Sequence, residues 1–153
     1  MEKILLLLGD SLIEYGDWHR LLPGFITVNR GIAGETAGEL AGRLGGVVNQ
    51  VDDPDGIVIL SGTNDLLMGN YAFPAVFTTM LPLLRRLCPG STIALSGLAP
   101  MDVPGLYREK IDEVNRFLVE AAAASGCGHL DLAPVFDLYC RPAGNSCFLA
   151  DGV

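Results

Sequence analysis

The sequence alternates short apolar runs of strand length with longer stretches in which apolar residues recur every three or four positions. This alternation is typical of βα units and a parallel sheet, and it argues against a helical bundle or a β-sandwich. Apolar runs with few polar interruptions further indicate strands that are covered on both faces. The predicted strands are residues 4–8, 25–29, 56–61, 92–97 and 128–132. Five strands are enough for a small doubly wound sheet.

Three of the connections carry amphipathic helical patterns, and each predicts a helix with one buried face. The apolar positions are Leu40, Leu44, Val47 and Val48 in the first helix; Val76, Phe77, Met80, Leu83, Leu84 and Leu87 in the second; and Tyr107, Ile111, Val114, Leu118 and Ala121 in the third. Gly126 is expected to end the third helix. Because the length is that of one domain, we predict that residues 1–153 form a single α/β domain.

Charge and hydropathy limit the partners. The chain has 18 acidic and 10 basic residues, a net charge of −8, which repels phosphate backbones and anionic lipid, so we expect no nucleic-acid partner. The first apolar run is too short to cross a bilayer and is followed at once by Gly9-Asp10-Ser11 instead of a signal-peptide cleavage region. We therefore predict a cytoplasmic protein with no stable membrane anchor, and the sequence leaves its oligomeric state open.

The cysteines do not suggest a metal site. Cys88, Cys127, Cys140 and Cys147 form no CxxC pair and have no accompanying histidines. We expect free thiols, because reducing compartments disfavour disulfides. Only Cys140 and Cys147 are close enough in sequence to suggest a local bridge.

Polar residues follow each of the first three predicted strands. Ser11 is placed where a nucleophile would lie at a helix start, although Asp10 or Ser11 could equally cap that helix. Gly34 could offer a backbone N–H to a substrate or simply serve as a turn residue. Asn64 could donate its amide to an oxyanion or form an Asx turn. Because ligands of open α/β sheets bind beyond the carboxyl ends of the strands, the coincidence of three such loops favours acyl transfer.

These loops resemble a known family. Gly9-Asp10-Ser11-Leu12, Gly34 within residues 29–36, and Gly62-Thr63-Asn64-Asp65 are similar to the first three blocks of the SGNH, or GDSL-type, hydrolases. The resemblance implies a three-layer α/β/α, flavodoxin-like fold with a five-stranded parallel sheet over essentially the whole chain. It also implies that Ser11 is the nucleophile, and that the Ser11 N–H, the Gly34 N–H and the Asn64 side chain form an oxyanion hole.

The implied activity is hydrolysis of carboxylic esters through an acyl-serine intermediate, with a small-molecule ester as substrate and no metal or organic cofactor. Residues 29–36 are similar to the platelet-activating-factor acetylhydrolase-like branch, which suggests short acyl groups. From the residues alone, an alternative is a catalytically inactive binding module that holds a small ligand in the same pocket.

The fourth family block, Asp-x-x-His, is matched only in part, by Asp151-Gly152-Val153. The resemblance implies that Asp151 orients a histidine base, and we expect the native chain to continue with that histidine and a last helix. Neither His19 nor His129 is expected to replace it. A helical first connection would carry His19 away from Ser11, and His129 is predicted at the start of the last strand, at the opposite end of the sheet.

Overall fold

The chain folds as five strands alternating with helices, as described by a computed structural model for residues 2–140 and 153. The strands are β1 (Lys3–Gly9), β2 (Phe25–Gly31), β3 (Gly56–Leu60), β4 (Thr92–Ser96) and β5 (Gly128–Leu130). The helices are α1 (Ser11–Glu14), α2 (Trp18–Leu21), α3 (Ala37–Val48), α4 (Thr63–Leu67), α5 (Phe77–Leu87), α6 (Arg108–Ala124) and α7 (Leu132–Tyr139), with a 3₁₀ turn, Phe73–Val76, before α5. All five predicted strands are confirmed.

The last strand is shorter than the sequence predicts, because a helix begins where we expected the strand to continue. Asp131 accepts a hydrogen bond from the Ala133 N–H (3.2 Å) and caps α7, which starts at Leu132. Asp and Asn are preferred residues at this capping position because their side chains satisfy free N–H groups of the first turn.

The strands are parallel, in the order β2-β1-β3-β4-β5. Since parallel crossovers are right-handed, the first connection lies on one face of the sheet, and α3, α5 and α6 lie on the other. This is the predicted three-layer α/β/α, flavodoxin-like arrangement. The strand order reverses around β1, where Gly9 pairs with Gly31 of β2 and with Leu60 of β3. The loops after these three strands therefore start side by side, at the position where such sheets bind ligands.

The main core fills the space between the sheet and α3, α5 and α6. Alternate strand residues face it, as the two-residue period of a strand requires. The strand residues of this core are Leu6, Leu8, Ile57, Ile59, Ile93 and Leu95. The helices contribute most of the residues predicted from their periodicity: Leu40, Leu44, Val47, Val48, Phe77, Met80, Leu84, Ile111, Val114, Leu118 and Ala121.

Some helix-face predictions are wrong at the helix ends. Tyr107 is 73% exposed, because it lies in extended conformation at the N-cap of α6 and does not join the helical face. Leu87 is exposed at the last position of α5, while Leu81, which the pattern did not include, is fully buried. Gly126 follows the end of α6 with a φ of +63°, as a helix stop requires.

The first connection differs from the single helix assumed after Ser11. It consists of two four-residue helices, α1 and α2, which pack against β2. Among residues 2–140, Cys88 and Cys127 are free thiols, whereas Cys140 is disulfide-bonded, so the expectation of free thiols is wrong there. Cys147, its suggested partner, lies outside the described residues. None of the helices in the described part of the chain combines the length and apolar character needed to cross a membrane.

Candidate active site

The first loop places Ser11 directly beyond β1, as the first residue of α1. Ser11 is half-buried, and its hydroxyl makes no hydrogen bond within the described residues. Asp10 caps the short helix: its Oδ1 accepts from the Leu12 N–H at 3.0 Å. The capping role is therefore confirmed for Asp10, which leaves the Ser11 hydroxyl free to act on a bound molecule.

The second loop contains a tight turn built around Gly34. The Glu35 N–H donates to the Ile32 carbonyl (3.1 Å), and Gly34 occupies the third position of this turn with a φ of +79°. A positive φ at that position is what a type II turn requires. The Ala33 N–H donates to Glu14 Oε2 (2.7 Å), whereas the Gly34 N–H has no acceptor among the described residues.

This turn borders an open cavity. Gly34 is exposed, and a Cβ built on it would meet no atom within 4 Å. The cavity has a volume of about 250 Å³. Its lining residues are Ile32, Ala33, Gly34, Glu35 and Glu39.

The second loop is also fixed to the first. The Ile32 N–H donates to the Gly9 carbonyl (2.9 Å), and the Asn29 amide donates to the Ile13 carbonyl (2.9 Å). Gly31 permits this close approach, because a Cβ at that position would lie 2.3 Å from the Glu14 backbone nitrogen. The Ser11 and Gly34 loops are thereby joined at the end of the sheet.

The third loop contributes Asn64 from the short helix α4. Its Nδ2 donates to the backbone carbonyl of Glu35 at 2.9 Å. The neighbouring Asp65 is buried and makes a second connection, since its Oδ2 accepts from the Ala37 N–H (2.8 Å). Asp65 Oδ1 accepts from the Asn70 amide (3.0 Å). Asp65 therefore joins the third loop to the start of α3.

A partly buried ion pair lies next to the Gly34 turn. The carboxylate of Glu35 receives Arg43 Nε at Oε1 and Arg43 Nη2 at Oε2, the latter at 2.7 Å. The same Nη2 donates to the backbone carbonyl of Arg30 (2.7 Å), at the end of β2. Sequence reasoning missed this pair. Its residues are eight positions apart, and no local spacing rule couples a loop residue to a helix residue at that distance.

Two of the buried carboxyl groups near Ser11 have perturbed acidities. Burial raises the pKa of Asp10 above its ordinary value of 3.8, an effect that the Leu12 amide and the Thr63 side chain only partly offset. Burial also raises the pKa of Asp65, against the opposing effects of the Ala37 N–H and the Asn70 amide. In each case desolvation outweighs hydrogen bonding.

The two histidines lie away from Ser11. His19 is exposed on α2. His129 is in the middle of β5, paired with Leu95, so the prediction that it lies at the opposite end of the sheet is wrong. It lies instead three strands to the side of β1, about 14 Å at ordinary strand spacing. Asp151, predicted to orient the base, lies outside the described residues.

The predicted residues Ser11, Gly34 and Asn64 thus belong to three loops that are hydrogen-bonded to one another at one edge of the sheet. The sequence did not reveal that the Asn64 amide is already engaged with the Glu35 carbonyl. Within the part of the chain that the structure describes, no three His, Cys, Asp or Glu side chains are grouped as a metal site would need.

Comparisons with known proteins agree with this architecture. A protein from Streptococcus pneumonia provisionally called a platelet activating factor is 26% identical, with a TM-score of 0.79 over 99% of this chain and 76% of that one. Axe2, an acetyl xylan esterase from Geobacillus stearothermophilus, is 19% identical, with a TM-score of 0.78 over 99% of this chain and 86% of that one. TesA is 22% identical, with a TM-score of 0.77 over 99% of this chain and 88% of that one.

No match was found among curated protein sequences. The family model of the GDSL-like lipase/acylhydrolases matches residues 7–147, which include the three loops described above. The chain therefore belongs to the GDSL-like lipase/acylhydrolase family of ester hydrolases.

Proposed function

We propose that this protein hydrolyses carboxylic esters with short acyl groups, using Ser11 as the nucleophile. The Ser11 Oγ attacks the ester carbonyl and releases the alcohol, which leaves an acyl group on the serine. Water then attacks this acyl-enzyme, releasing the carboxylic acid and restoring the hydroxyl. Both steps pass through a tetrahedral intermediate with a negatively charged oxygen, and that oxygen needs hydrogen-bond donors.

The observation that carries the proposal is the hydrogen bond from Asn64 Nδ2 to the Glu35 carbonyl (2.9 Å). A side-chain amide has two N–H donors, and this bond occupies only one of them. It brings Asn64 against Glu35, the residue that directly follows Gly34. The Gly34 N–H has no acceptor among the described residues. We infer that Asn64, Gly34 and the Ser11 backbone N–H form the oxyanion hole.

A serine hydroxyl also needs a general base at neutral pH. We propose that Asp151 orients the general base, which takes the Ser11 proton and returns it to the leaving alcohol. The positions of His19 and His129 support neither as that base, because one is exposed on α2 and the other is three strands from β1. A general base must first lie within hydrogen-bond distance of the proton that it takes, whatever its pKa.

Two similarities support short acyl groups. Residues 29–36 resemble the platelet-activating-factor acetylhydrolase-like branch, and the protein provisionally called a platelet activating factor is 26% identical to this chain. We therefore expect acetyl and butyryl esters to be turned over faster than octanoyl esters.

The test compares the wild-type protein with its Ser11→Ala variant on p-nitrophenyl acetate and p-nitrophenyl octanoate. We expect the variant to lose at least about 10³-fold in kcat, because the nucleophile is removed, and the acetate to be turned over faster than the octanoate. Ser125→Ala, which changes a serine at the far end of α6, is the control and should keep full activity.

A companion measurement uses a serine-directed phosphonate, with mass spectrometry to locate the adduct. Labelling at Ser11 is expected in the wild type and in Ser125→Ala. A wild-type protein that is folded yet inert to both esters and to the phosphonate would contradict the proposal. It would favour a binding module that holds a small ligand in the same pocket.

A further inference from the structure

We propose that the partly buried ion pair of Glu35 and Arg43 acts as a positioning device for the Asn64 amide. The inference rests on the proposed function of Asn64 as an oxyanion donor. Neither charged group is expected to touch the substrate. Their effect passes through the backbone carbonyl of Glu35, which holds Asn64 Nδ2 at 2.9 Å.

Glu35 is held at both its side chain and its backbone. The two carboxylate oxygens bind two different nitrogens of Arg43, and the Glu35 N–H closes the Gly34 turn on the Ile32 carbonyl (3.1 Å). Arg43 in turn binds the Arg30 carbonyl (2.7 Å), so the guanidinium connects α3, the turn and the end of β2. A planar guanidinium engaged in this way fixes both distance and orientation.

A contribution to folding stability does not by itself explain why Glu35 and Arg43 are paired here. The Glu35 side chain is 5% exposed and that of Arg43 22%, and removing such charges from water costs much of what their attraction returns. Well-packed apolar residues often stabilise such a position equally well. A fixed direction for the Glu35 carbonyl, by contrast, is something that an apolar pair could not supply.

The consequence for catalysis is specific. A donor that is misdirected by a few tenths of an ångström binds the developing oxyanion less well, while ground-state binding of the ester is little changed. We therefore expect Arg43→Met to lower kcat by about 10-fold or more with KM within about twofold of wild type. Arg43→Lys keeps the charge but loses the two-point contact, so its kcat should lie between those of the wild type and Arg43→Met.

Arg85→Met is the matched control for the substitution itself. Arg85 is also half-buried and also donates to two backbone carbonyls, those of Ser91 (3.2 Å) and Gly126. It lies at the end of α5, at the amino end of the sheet, far from the three loops. We expect Arg85→Met to lower the urea midpoint and leave kcat unchanged, whereas Arg43→Met lowers kcat at a temperature where both variants are folded.

The decisive experiment is a double-mutant cycle with Asn64→Ala, with kcat on p-nitrophenyl acetate as the readout. If Arg43 acts through Asn64, Arg43→Met costs about 10-fold in the wild-type background and less than about twofold once Asn64 is absent. An equal loss in both backgrounds, or an unchanged kcat in folded Arg43→Met, would overturn the inference. If Arg43→Met does not fold, Arg43→Lys takes its place in the cycle; its smaller loss of kcat should likewise disappear once Asn64 is absent, and an equal loss in both backgrounds would overturn the inference.

The Ser11→Ala variant separates this inference from the proposed function. If Ser11→Ala turns over the ester as fast as the wild type, the proposed function fails and the inference fails with it. If turnover depends on Ser11 and falls in Asn64→Ala but is indifferent to Arg43, only the inference is wrong.

Discussion

The two ends of the sheet differ in how many polar side chains they bury. At the carboxyl end, where the strands run into the three loops, Asp10, Glu35 and Asp65 are all buried, together with the hydroxyls of Ser61, Thr63 and Ser96. At the amino end, Ser91 is the only polar side chain that is buried among the residues the structure describes. Removing polar and charged groups from water costs free energy, and most of this cost falls at the carboxyl end of the sheet.

The amino end still joins its segments by hydrogen bonds, but with groups that water can reach or that carry no charge. Asp55 Oδ2 accepts from the Ile4 N–H (2.8 Å) in an exposed contact, and the Ser91 hydroxyl donates to the Pro54 carbonyl. Strands can therefore be connected without buried carboxylates. The difference teaches that the acids near Ser11 serve the placement of loops around a pocket, at some expense to stability.

The largest predicted effect on stability is the loss on Asp65→Ala at the carboxyl end, compared with Asp55→Ala at the amino end. Asp65→Ala leaves the Ala37 N–H and the Asn70 amide without their acceptor in a buried place, so we expect a loss of about 2–3 kcal/mol in the free energy of unfolding. Asp55→Ala exposes the Ile4 N–H to water and should cost less than about 1 kcal/mol. Urea denaturation at pH 7 measures both. Equal losses would mean that the two ends are held alike.

Substituting Asp10 is expected to change the free energy of unfolding less than substituting Asp65, and this change should depend on pH. Its pKa is raised by burial, and its Oδ2 has no hydrogen-bond partner among the described residues. Because the folded-state pKa lies above the unfolded one, ionised Asp10 lowers stability above the folded-state pKa. The penalty fades as the pH falls through that pKa and the native carboxyl takes up a proton. Asp10→Asn keeps an oxygen for the Leu12 N–H and removes the charge.

We therefore expect Asp10→Asn to be more stable than the wild type at pH 7, by roughly 1 kcal/mol, with the advantage shrinking as the pH approaches about 4. Urea midpoints of both proteins at several pH values are the measurement. An advantage that grows on acidification would mean that the Asp10 carboxylate is stabilised by its surroundings, contrary to its burial.

Local sequence patterns were sufficient for most of the fold. The strands, the buried faces of α3 and α6 and the stop at Gly126 follow from hydrophobic period and backbone preference, which neighbouring residues determine. Errors fell at element ends, as at Tyr107 and in the last predicted strand, where a single capping residue decides the boundary. Ser11, Gly34 and Asn64 were correctly predicted to lie on adjacent loops, because parallel strands bring their carboxyl ends together.

The contacts between the loops could not be predicted in the same way. The Glu35–Arg43 pair, and the bond from the Ala37 N–H to Asp65, join residues whose proximity depends on how α3 and α4 pack on the sheet. The position of His129 also depended on the register of β5 against β4, which no pattern within β5 specifies. The sequence predicted which loops lie side by side, and tertiary packing determined how they are oriented.

The smallest predicted effect compares two glycines that have free space around them. A Cβ on Gly34 or on Gly90 would meet nothing within 4 Å, but only Gly34 has a positive φ, of +79°. Gly34→Ala should lower the free energy of unfolding by about 1 kcal/mol through backbone strain, whereas Gly90→Ala should stay within about 0.5 kcal/mol of wild type. Urea midpoints distinguish them. If both variants unfold at the same midpoint, the turn at the carboxyl end adapts to a side chain, and its hydrogen bonds hold the loops less firmly than the comparison of the two ends implies.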